Sequence, residues 1–500
     1  MIELKQVSFT YGTDTKESRE GGNGIRDLNL TIARGEFLVL TGSSGCGKTT
    51  VTRLINGLIP NYYNGVLTGS VTLNGEDVGK MPISRTAKTV GSVFQNPKSQ
   101  FFNVDTTSEL AFALENQGVP VPEIKKRVKE AVKQFHIDGL MDRSLFQLSG
   151  GEKQKIACAS VAVAEPDVIV LDEPSSNLDT QAIQEMKKVL GRWKRQGKTI
   201  IIAEHRLYFL RELADRMLVM EQGKVIRELS REQIQGMTVR ETQEMGIRPF
   251  RMEELHPAGR KGAGGLTKLK LTDFSYRYAG SDKGIQVDKV AVEQGSIVAV
   301  IGQNGAGKST FAKCLCGLEK KCRGTMQMDG RAYPARERLR NCYLVMQDVN
   351  HQLFTESVLD EVLLSLDGQS AILREQKEET ARHILADMDL SHFQDTHPMA
   401  LSGGQKQRTA IASAIASKRR VIIFDEPTSG LDYLHMNQVA ENLRALSGMG
   451  KLVFVITHDL ELIMKCCTDI LHLENGRVKE FYELDEEKES RLKQFFVKEA

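Results

Sequence analysis

The sequence predicts an α/β protein of two domains in tandem, each built round a mainly parallel sheet. Three observations predict it. The chain has 500 residues, too many for a single core and enough for two or more domains of ordinary size. Its second half restates its first: "LSGGEKQK" from 148 recurs as "LSGGQKQR" from 401, "VIVLDEPSSNLD" from 168 as "VIIFDEPTSGLD" from 421, and "IIAEHR" from 201 as "FVITHD" from 454. Finally, short apolar runs of strand length alternate with helical segments such as "PEIKKRVKEAVKQF", which is the pattern of βα units.

The repeat has a nearly constant period. Ser149/Ser402, Asp172/Asp425 and His205/His458 are each 253 positions apart, and Lys48 and Lys308 are 260 apart. The first domain is assigned to 1–240, a linker to 241–266 and the second domain to 267–500. Within the linker, "IRPFRMEELHPAGRKGAGGL" (247–266) is basic, carries Pro and a Gly cluster, and lacks clear periodicity. After it, "LKLTDFSYRYAG" restarts the pattern of "IELKQVSFTYG".

Composition narrows the function classes. Lys and Arg total 67 against 65 Asp and Glu, a formal net charge of +2, so no nucleic-acid partner is expected. No stretch approaches the roughly 18 to 20 apolar residues of a membrane span, and the charged opening "MIELKQVSF" does not read as a signal peptide. A cytoplasmic protein is expected, unless a partner holds it at a membrane. The eight cysteines show no metal-ligand spacing and are expected to be small buried residues or free thiols.

Two stretches carry the chemistry. "GSSGCGKTT" comprises Gly42, Ser43, Ser44, Gly45, Cys46, Gly47, Lys48, Thr49 and Thr50. "GQNGAGKST" comprises Gly302, Gln303, Asn304, Gly305, Ala306, Gly307, Lys308, Ser309 and Thr310. Each is a complete Gly-x4-Gly-Lys-Ser/Thr P-loop. Glycine is required where backbone amides must approach phosphate oxygens, and the helix that follows adds further amides and a favourable dipole. Lys48 and Lys308 are expected at the β- and γ-phosphates, with Thr49 and Ser309 placing a hydroxyl on Mg²⁺. Downstream, "VIVLDEP" and "VIIFDEP" are apolar strands ending in two carboxylates. Asp172 or Asp425 suits water-mediated binding of Mg²⁺, and Glu173 or Glu426 suits the general base that polarises an attacking water.

Taken together, the P-loops, the "LSGG" signatures, the "DEP" carboxylates and the histidines resemble the ATP-binding cassette (ABC) ATPases over almost the whole chain, twice. The resemblance implies, in each domain, an ABC-type P-loop fold with a mainly parallel sheet core, an antiparallel β subdomain and a helical subdomain. It implies that Gln95 and Gln347 contact Mg²⁺ and water, that His205 and His458 contact the γ-phosphate, and that Tyr11 and Tyr278 stack on adenine. It further implies that the halves pair intramolecularly into two composite ATP sites. One would add Ser402, Gly403 and Gly404 to the first P-loop, and the other Ser149, Gly150 and Gly151 to the second. Both sites look competent; Glu152 in place of Gln405, and "SNLD" in place of "SGLD", imply that they are unequal.

The segments "NPKSQFFNVDTTSELAFALEN" and "DVNHQLFTESVLDEVLLSL" resemble those of the ATPases of energy-coupling factor (ECF) importers. That resemblance implies a peripheral ATPase on the cytoplasmic face of the cell membrane. Its partners would be a transmembrane coupling protein and a substrate-binding membrane protein, and its cargo a vitamin or metal ion. Phe101 and Phe354 are expected to face the membrane partner. The fused ATPase of a sugar importer, and a soluble tandem ABC protein acting on ribosomes, are the alternatives. Cys46, at the start of a helix beside Lys48, is expected to be a reactive thiol of lowered pKa.

Overall fold

The computed structural model describes residues 1–12, 24–176, 178–259, 268–280, 283–366 and 374–498. It divides into two compact units, Met1–Arg251 with Asp432–Leu434, and Met252–Leu431 with His435–Ala500.

The first unit is organised by its most apolar strands. β1 (Ile2–Tyr11), β2 (Gly24–Ile32), β4 (Gly65–Leu73) and β5 (Glu76–Asp77) make an antiparallel sheet of order β2-β1-β4-β5. β3 (Phe37–Gly42), β6 (Val90–Val93), β7 (Val168–Asp172), β8 (Thr199–Ala203), β9 (Arg216–Glu221) and β10 (Lys224–Ser230) form a second sheet, ordered β10-β9-β3-β8-β7-β6. This sheet is parallel except at β9/β10. β3 and β8 are buried along their whole length, because a parallel sheet is covered on both faces and so reads as a continuous apolar run.

Alternation decides what each face packs against. Phe37, Val39, Ile200 and Ile202 join a core with the helices Thr106–Asn116, Val121–Phe135 and Gly150–Val163. Leu38, Leu40, Ile201 and Ala203 join a core with the antiparallel sheet and the helix Lys48–Ile55. A one-residue slip of β3 would exchange these faces. The register Phe37↔Ile200 through Leu40↔Ala203 therefore also fixes where β3 ends, and with it the loop that follows.

The second unit repeats the topology. Its strands are β11 (Lys268–Arg277), β12 (Gly284–Glu293), β13 (Ile297–Ile301), β14 (Arg323–Met328), β15 (Arg331–Ala332), β16 (Cys342–Val345), β17 (Val421–Asp425), β18 (Leu452–Ile456), β19 (Asp469–Glu474) and β20 (Arg477–Glu483). They join in one ten-stranded sheet, because Gln286 pairs with Arg477 and links the antiparallel and parallel parts. Among the described residues of the first unit the two sheets stay separate, and the matching hydrogen bond runs from Arg26 N to Gly223 O, 2.8 Å. The early part of the stretch read as linker is packed: Ile247 and Phe250 belong to the first unit's core, and Ala258 N donates to Met464 O in the second unit. Residues 260–267 lie outside the described residues. Among the described residues no helix is long and apolar enough to cross a membrane.

Candidate functional site: two P-loop centres

At each P-loop the parallel sheet delivers a strand end to the start of a helix. Gly42 closes β3 at φ 138°, where a Cβ would lie 2.0 Å from the Met220 carbonyl oxygen; at Gly302 the clash would be with Leu473 O at 2.2 Å. Only glycine fits there. The helices Lys48–Ile55 and Lys308–Cys316 both begin after a glycine in the left-handed region, with no side chain capping the first amides. Those amides are thus available to an anion. Ser44 and Gly45 are exposed on the crest of the first loop, as are Gln303, Asn304 and Gly305 on the second.

The lysines are buried and span their loops. Lys48 Nζ donates to Gly42 O (3.1 Å) and Ser43 O (2.9 Å). Lys308 Nζ donates to Gly302 O (2.6 Å) and Gln303 O (3.1 Å), and lies 2.9 Å from His458 Nε2. Neutral carbonyls orient each ammonium across its loop, where it can meet an anion.

β7 and β17 bring the carboxylates alongside. Thr49 Oγ1 donates to Asp172 Oδ1 at 3.1 Å, and Ser309 stands beside Asp425. Burial and the neighbouring Glu173 charge push the Asp172 carboxyl up to about 6, against the Thr49 hydrogen bond and the Arg53 and Lys48 charges. Asp425 is also raised by burial. A hydroxyl beside a carboxylate is an all-oxygen donor pair. That fits Mg²⁺, which keeps several waters and takes one or two protein ligands with substrate phosphates. No cluster of three or more His, Cys, Asp or Glu that could hold a metal occurs among the described residues, and none is needed here.

Glu173 is fixed from both sides. Gln95 Nε2 donates to its Oε2 at 2.6 Å, and His205 Nε2 lies 3.2 Å from its Oε1. Burial alone would raise this carboxyl, but the His205 and Lys48 charges outweigh it and hold Glu173 below the ordinary range, hence ionised. Glu173 and Glu426 both sit at positive φ, 43° and 51°, with their backbone N–H tied to the next strand through Ala203 O (2.8 Å) and Ile456 O (2.9 Å). Such backbone strain, on the order of 1–3 kcal/mol, persists where surrounding structure over-determines it.

The second centre differs in its distances. His458 Nε2 is 3.6 Å from Glu426 Oε1. Gln347 is exposed, and the structure does not bring its side chain to Glu426. It follows the end of β16 on a turn whose hydrogen bonds are made instead by Asp348 and Gln352.

The Tyr11 hydroxyl meets the Thr50 hydroxyl at 3.2 Å, and Tyr278 meets Thr310 at 3.2 Å, so both tyrosines stand beside a P-loop helix. Ser149 and Ser402 cap the helices Gly150–Val163 and Gly403–Ala416. Glu152 Oε2 accepts from Ser149 N at 2.8 Å, and Gln405 Oε1 accepts from Ser402 N at 2.9 Å. The two signatures thus have one geometry, and Glu152 and Gln405 differ in charge alone. Ser149, Gly150, Ser402 and Gly403 are exposed, while Gly151 is buried and Gly404 half-buried. Asn177 of the first "SNLD" lies outside the described residues.

One expectation is overturned. Cys46 is 2% exposed and packs under the loop into the apolar core, as Ala306 does in the second unit. Burial pushes its thiol up in spite of Lys48, so it is not a reactive thiolate. A local argument from the helix dipole cannot see which side of the loop the side chain faces.

Sequence reasoning also missed residues. Glu204, buried one position before His205, accepts from the backbone N–H groups of Ser175 (3.2 Å), His205 (2.8 Å) and Arg206 (3.1 Å), tying the histidine to the loop after Glu173. Its carboxyl is raised by burial. In the second unit that tie is made from Asp459, whose Oδ2 accepts from Thr428 Oγ1 at 2.8 Å. The unlike triplets "EHR" and "THD" were the available signal.

The family model "ABC transporter" matches residues 25–176 and 285–429, one stretch in each half. The chain belongs to the ABC transporter ATP-binding family. A Treponema denticola protein named as an ABC transporter ATP-binding protein is 40% identical over 499 residues, covering 98% of this chain and 99% of that protein. A counterpart in Methanosarcina acetivorans is 32% identical, over 95% of this chain and 85% of that one. Among solved structures, a model of ribosome-bound archaeal Pelota and ABCE1 matches 98% of this chain and 80% of that one at TM-score 0.68 and 20% identity, which shows a shared fold. This ABC protein binds ATP and hydrolyses it.

Proposed function

We propose that this ATPase energises an importer of the ECF type, peripheral on the cytoplasmic face of the membrane. Its partners would be a transmembrane coupling protein and a small substrate-binding membrane protein, and its cargo a vitamin or metal ion. The observation that carries the reading is a pair of exposed aromatics. Phe102 is 76% exposed and Phe354 is 74% exposed, seven residues after Gln95 and Gln347 respectively. Each is held by the helix that follows: Glu109 Oε2 accepts from Phe102 N at 3.0 Å, and Glu361 Oε2 accepts from Phe354 N at 3.1 Å. Phe102 stacks on Phe112 with centroids 5.0 Å apart. Large apolar groups rigidly presented to solvent at equivalent positions of two cassettes suit docking of partner helices. The register differs from the sequence expectation, because Phe101 packs against the core, as does its counterpart Leu353.

In the proposed chemistry Lys48 and the loop amides hold the phosphates. Glu173, kept ionised, accepts a proton as the water oxygen attacks the γ-phosphorus and ADP leaves. Mg²⁺, when bound with the nucleotide, neutralises phosphate charge; Thr49, Asp172 and Gln95, and Ser309, Asp425 and Gln347, would hold it. Each site would be completed by the signature of the other cassette, whose exposed helix start offers a hydroxyl and amides to the γ-phosphate. The charge of Glu152 would make the site using Ser149 the weaker ATP binder.

Affinity purification of the tagged chain from detergent-solubilised membranes, followed by mass spectrometry, tests the reading. Recovery of a transmembrane coupling protein with a small membrane protein is expected. Co-sedimentation with ribosomes and no membrane partner would overturn it, and permease subunits of a sugar transporter would redirect it.

A further inference from the structure

Two helix faces of the first cassette bound a cavity outside the P-loop centre. Gly151, Gln154, Lys155 and Cys158 line it from the helix Gly150–Val163. Ala182, Glu185, Met186 and Val189 line it from the helix Thr180–Arg195, at the same spacing. Residues so spaced share one face of a helix. The two faces meet at one point, where a Cβ on Gly151 would lie 3.3 Å from Ala182 Cβ. Elsewhere they enclose about 310 Å³, closed on a third side by the end of the helix Val121–Phe135. That end is tied in place: Arg192 Nη1 donates to Gln134 O at 2.7 Å, and the Phe135 and Trp193 ring centres are 6.2 Å apart.

The lining has two characters. Phe135, Cys158, Leu178 and Met186 are buried members of the apolar core. Lys155, Lys188 and Arg192 line the same space against a single carboxylate, Glu185. Glu185 Oε1 accepts from Lys188 Nζ at 3.0 Å, which leaves Lys155 without an ion pair among the described residues. Arg192 meets the neutral Gln134 carbonyl and no carboxylate among the described residues. Gln154 is 4% exposed, and its buried Nε2 finds no hydrogen-bond partner among the described residues. Its counterpart Gln407 donates the same amide to Pro427 O. A buried donor left unpaired is costly, and an acceptor brought by a ligand removes that cost. The second cassette does not keep the arrangement. There Glu441, Ala445 and Asp389 stand for Lys188, Arg192 and His136, and Ile411 stands for Cys158. Arg408, the counterpart of Lys155, lies 3.9 Å from Asp389.

We propose that this cavity binds a carboxylate carried on a hydrocarbon body of about eight carbons. The open polar groups are the Lys155 ammonium, the Arg192 guanidinium and the Gln154 amide NH₂. All are donors, so the head of the ligand must accept, and an anion answers the two cations. The volume holds about ten water-sized groups, which matches a ligand of about ten heavy atoms. The apolar lining takes the hydrocarbon, because contact with Phe135, Cys158 and Met186 removes its surface from water. A bare inorganic anion would leave that lining unfilled, and a neutral alcohol would leave the cations unanswered.

Equilibrium dialysis of radiolabelled octanoate against the full-length chain tests the assignment. Saturable binding of one octanoate per chain is expected, with a Kd on the order of 0.1 mM for a ligand of this size. Octanol should bind roughly tenfold more weakly, and inorganic phosphate should not displace octanoate. Lys155→Gln and Arg192→Ala should each weaken binding roughly tenfold, the loss of one charge-assisted hydrogen bond. Val189→Phe, which fills the space, should abolish it, while Lys125→Gln, at an exposed position of the helix Val121–Phe135, should leave the Kd unchanged. Thermal unfolding shows which variants fold. Should Val189→Phe fail to fold, Arg192→Ala decides, since alanine already stands at that position of the second cassette. No saturation below about 5 mM, equal affinity for octanol, or displacement by phosphate overturns the proposal. So does an unchanged Kd in Lys155→Gln, in Arg192→Ala or in a folded Val189→Phe.

Discussion

Replacing Glu173 and Glu426 together by Gln should stop turnover and leave nucleotide binding intact. Glu173 is held through Oε2 by Gln95 Nε2 at 2.6 Å and flanked at Oε1 by His205 Nε2 at 3.2 Å. A glutamine of the same shape can turn its oxygen to Gln95 and so keep that hydrogen bond. Its backbone at φ 43° is no more strained for Gln than for Glu. The substitution thus removes the proton acceptor and little else. A positioned general base contributes about 10²- to 10⁴-fold, or about 2.7–5.5 kcal/mol of barrier. The double variant should therefore hydrolyse ATP at no more than about one hundredth of the wild-type rate, with Kd for ATP within about threefold. Steady-state phosphate release and equilibrium binding of a fluorescent ATP analogue read the two quantities. Near wild-type phosphate release would refute the assignment, and a large loss of binding would show that Glu173 holds nucleotide instead of activating water.

Asp172 titrates at about 6 and must lose its proton to take a cation. Mg-dependent ATP affinity at the first site should accordingly fall as pH drops below about 6, approaching tenfold per unit, and Asp172→Asn should flatten that slope; a pH-independent wild-type Kd from 5 to 7 would count against it. Gly42→Ala, whose Cβ would sit 2.0 Å from Met220 O at φ 138°, should destabilise the first unit by about 1–3 kcal/mol and abolish its ATP binding, read by thermal unfolding and nucleotide titration; an unchanged Tm with full binding defeats the cradle argument. Phe102→Asp with Phe354→Asp should release the membrane partners while sparing ATP binding, and copurification of an unchanged complex would show that these rings are not the docking surface.

Much of this protein is written locally. Strand–turn–helix order, the Gly-x4-Gly-Lys spacing and carboxylates at strand ends are short-range patterns, so a repeated sequence was enough to read two α/β units and to number Lys48, Glu173, His205 and their counterparts. Their short range is also the reason the reading failed where it did. Cys46 and Phe101 were judged by their neighbours in sequence, yet which way each side chain faces is set by the sheet packed against it, and both turned inward. The fixing of Glu173 between Gln95 and His205 joins residues up to 110 positions apart and follows from the parallel register of β6, β7 and β8. The same holds for Glu204 and Glu109: a lone charged residue in an apolar stretch reads as an irregularity until the fold shows which backbone amides it serves. Sequence determined which groups the chain carries; tertiary structure decided which of them meet, because burial and contact depend on residues distant along the chain.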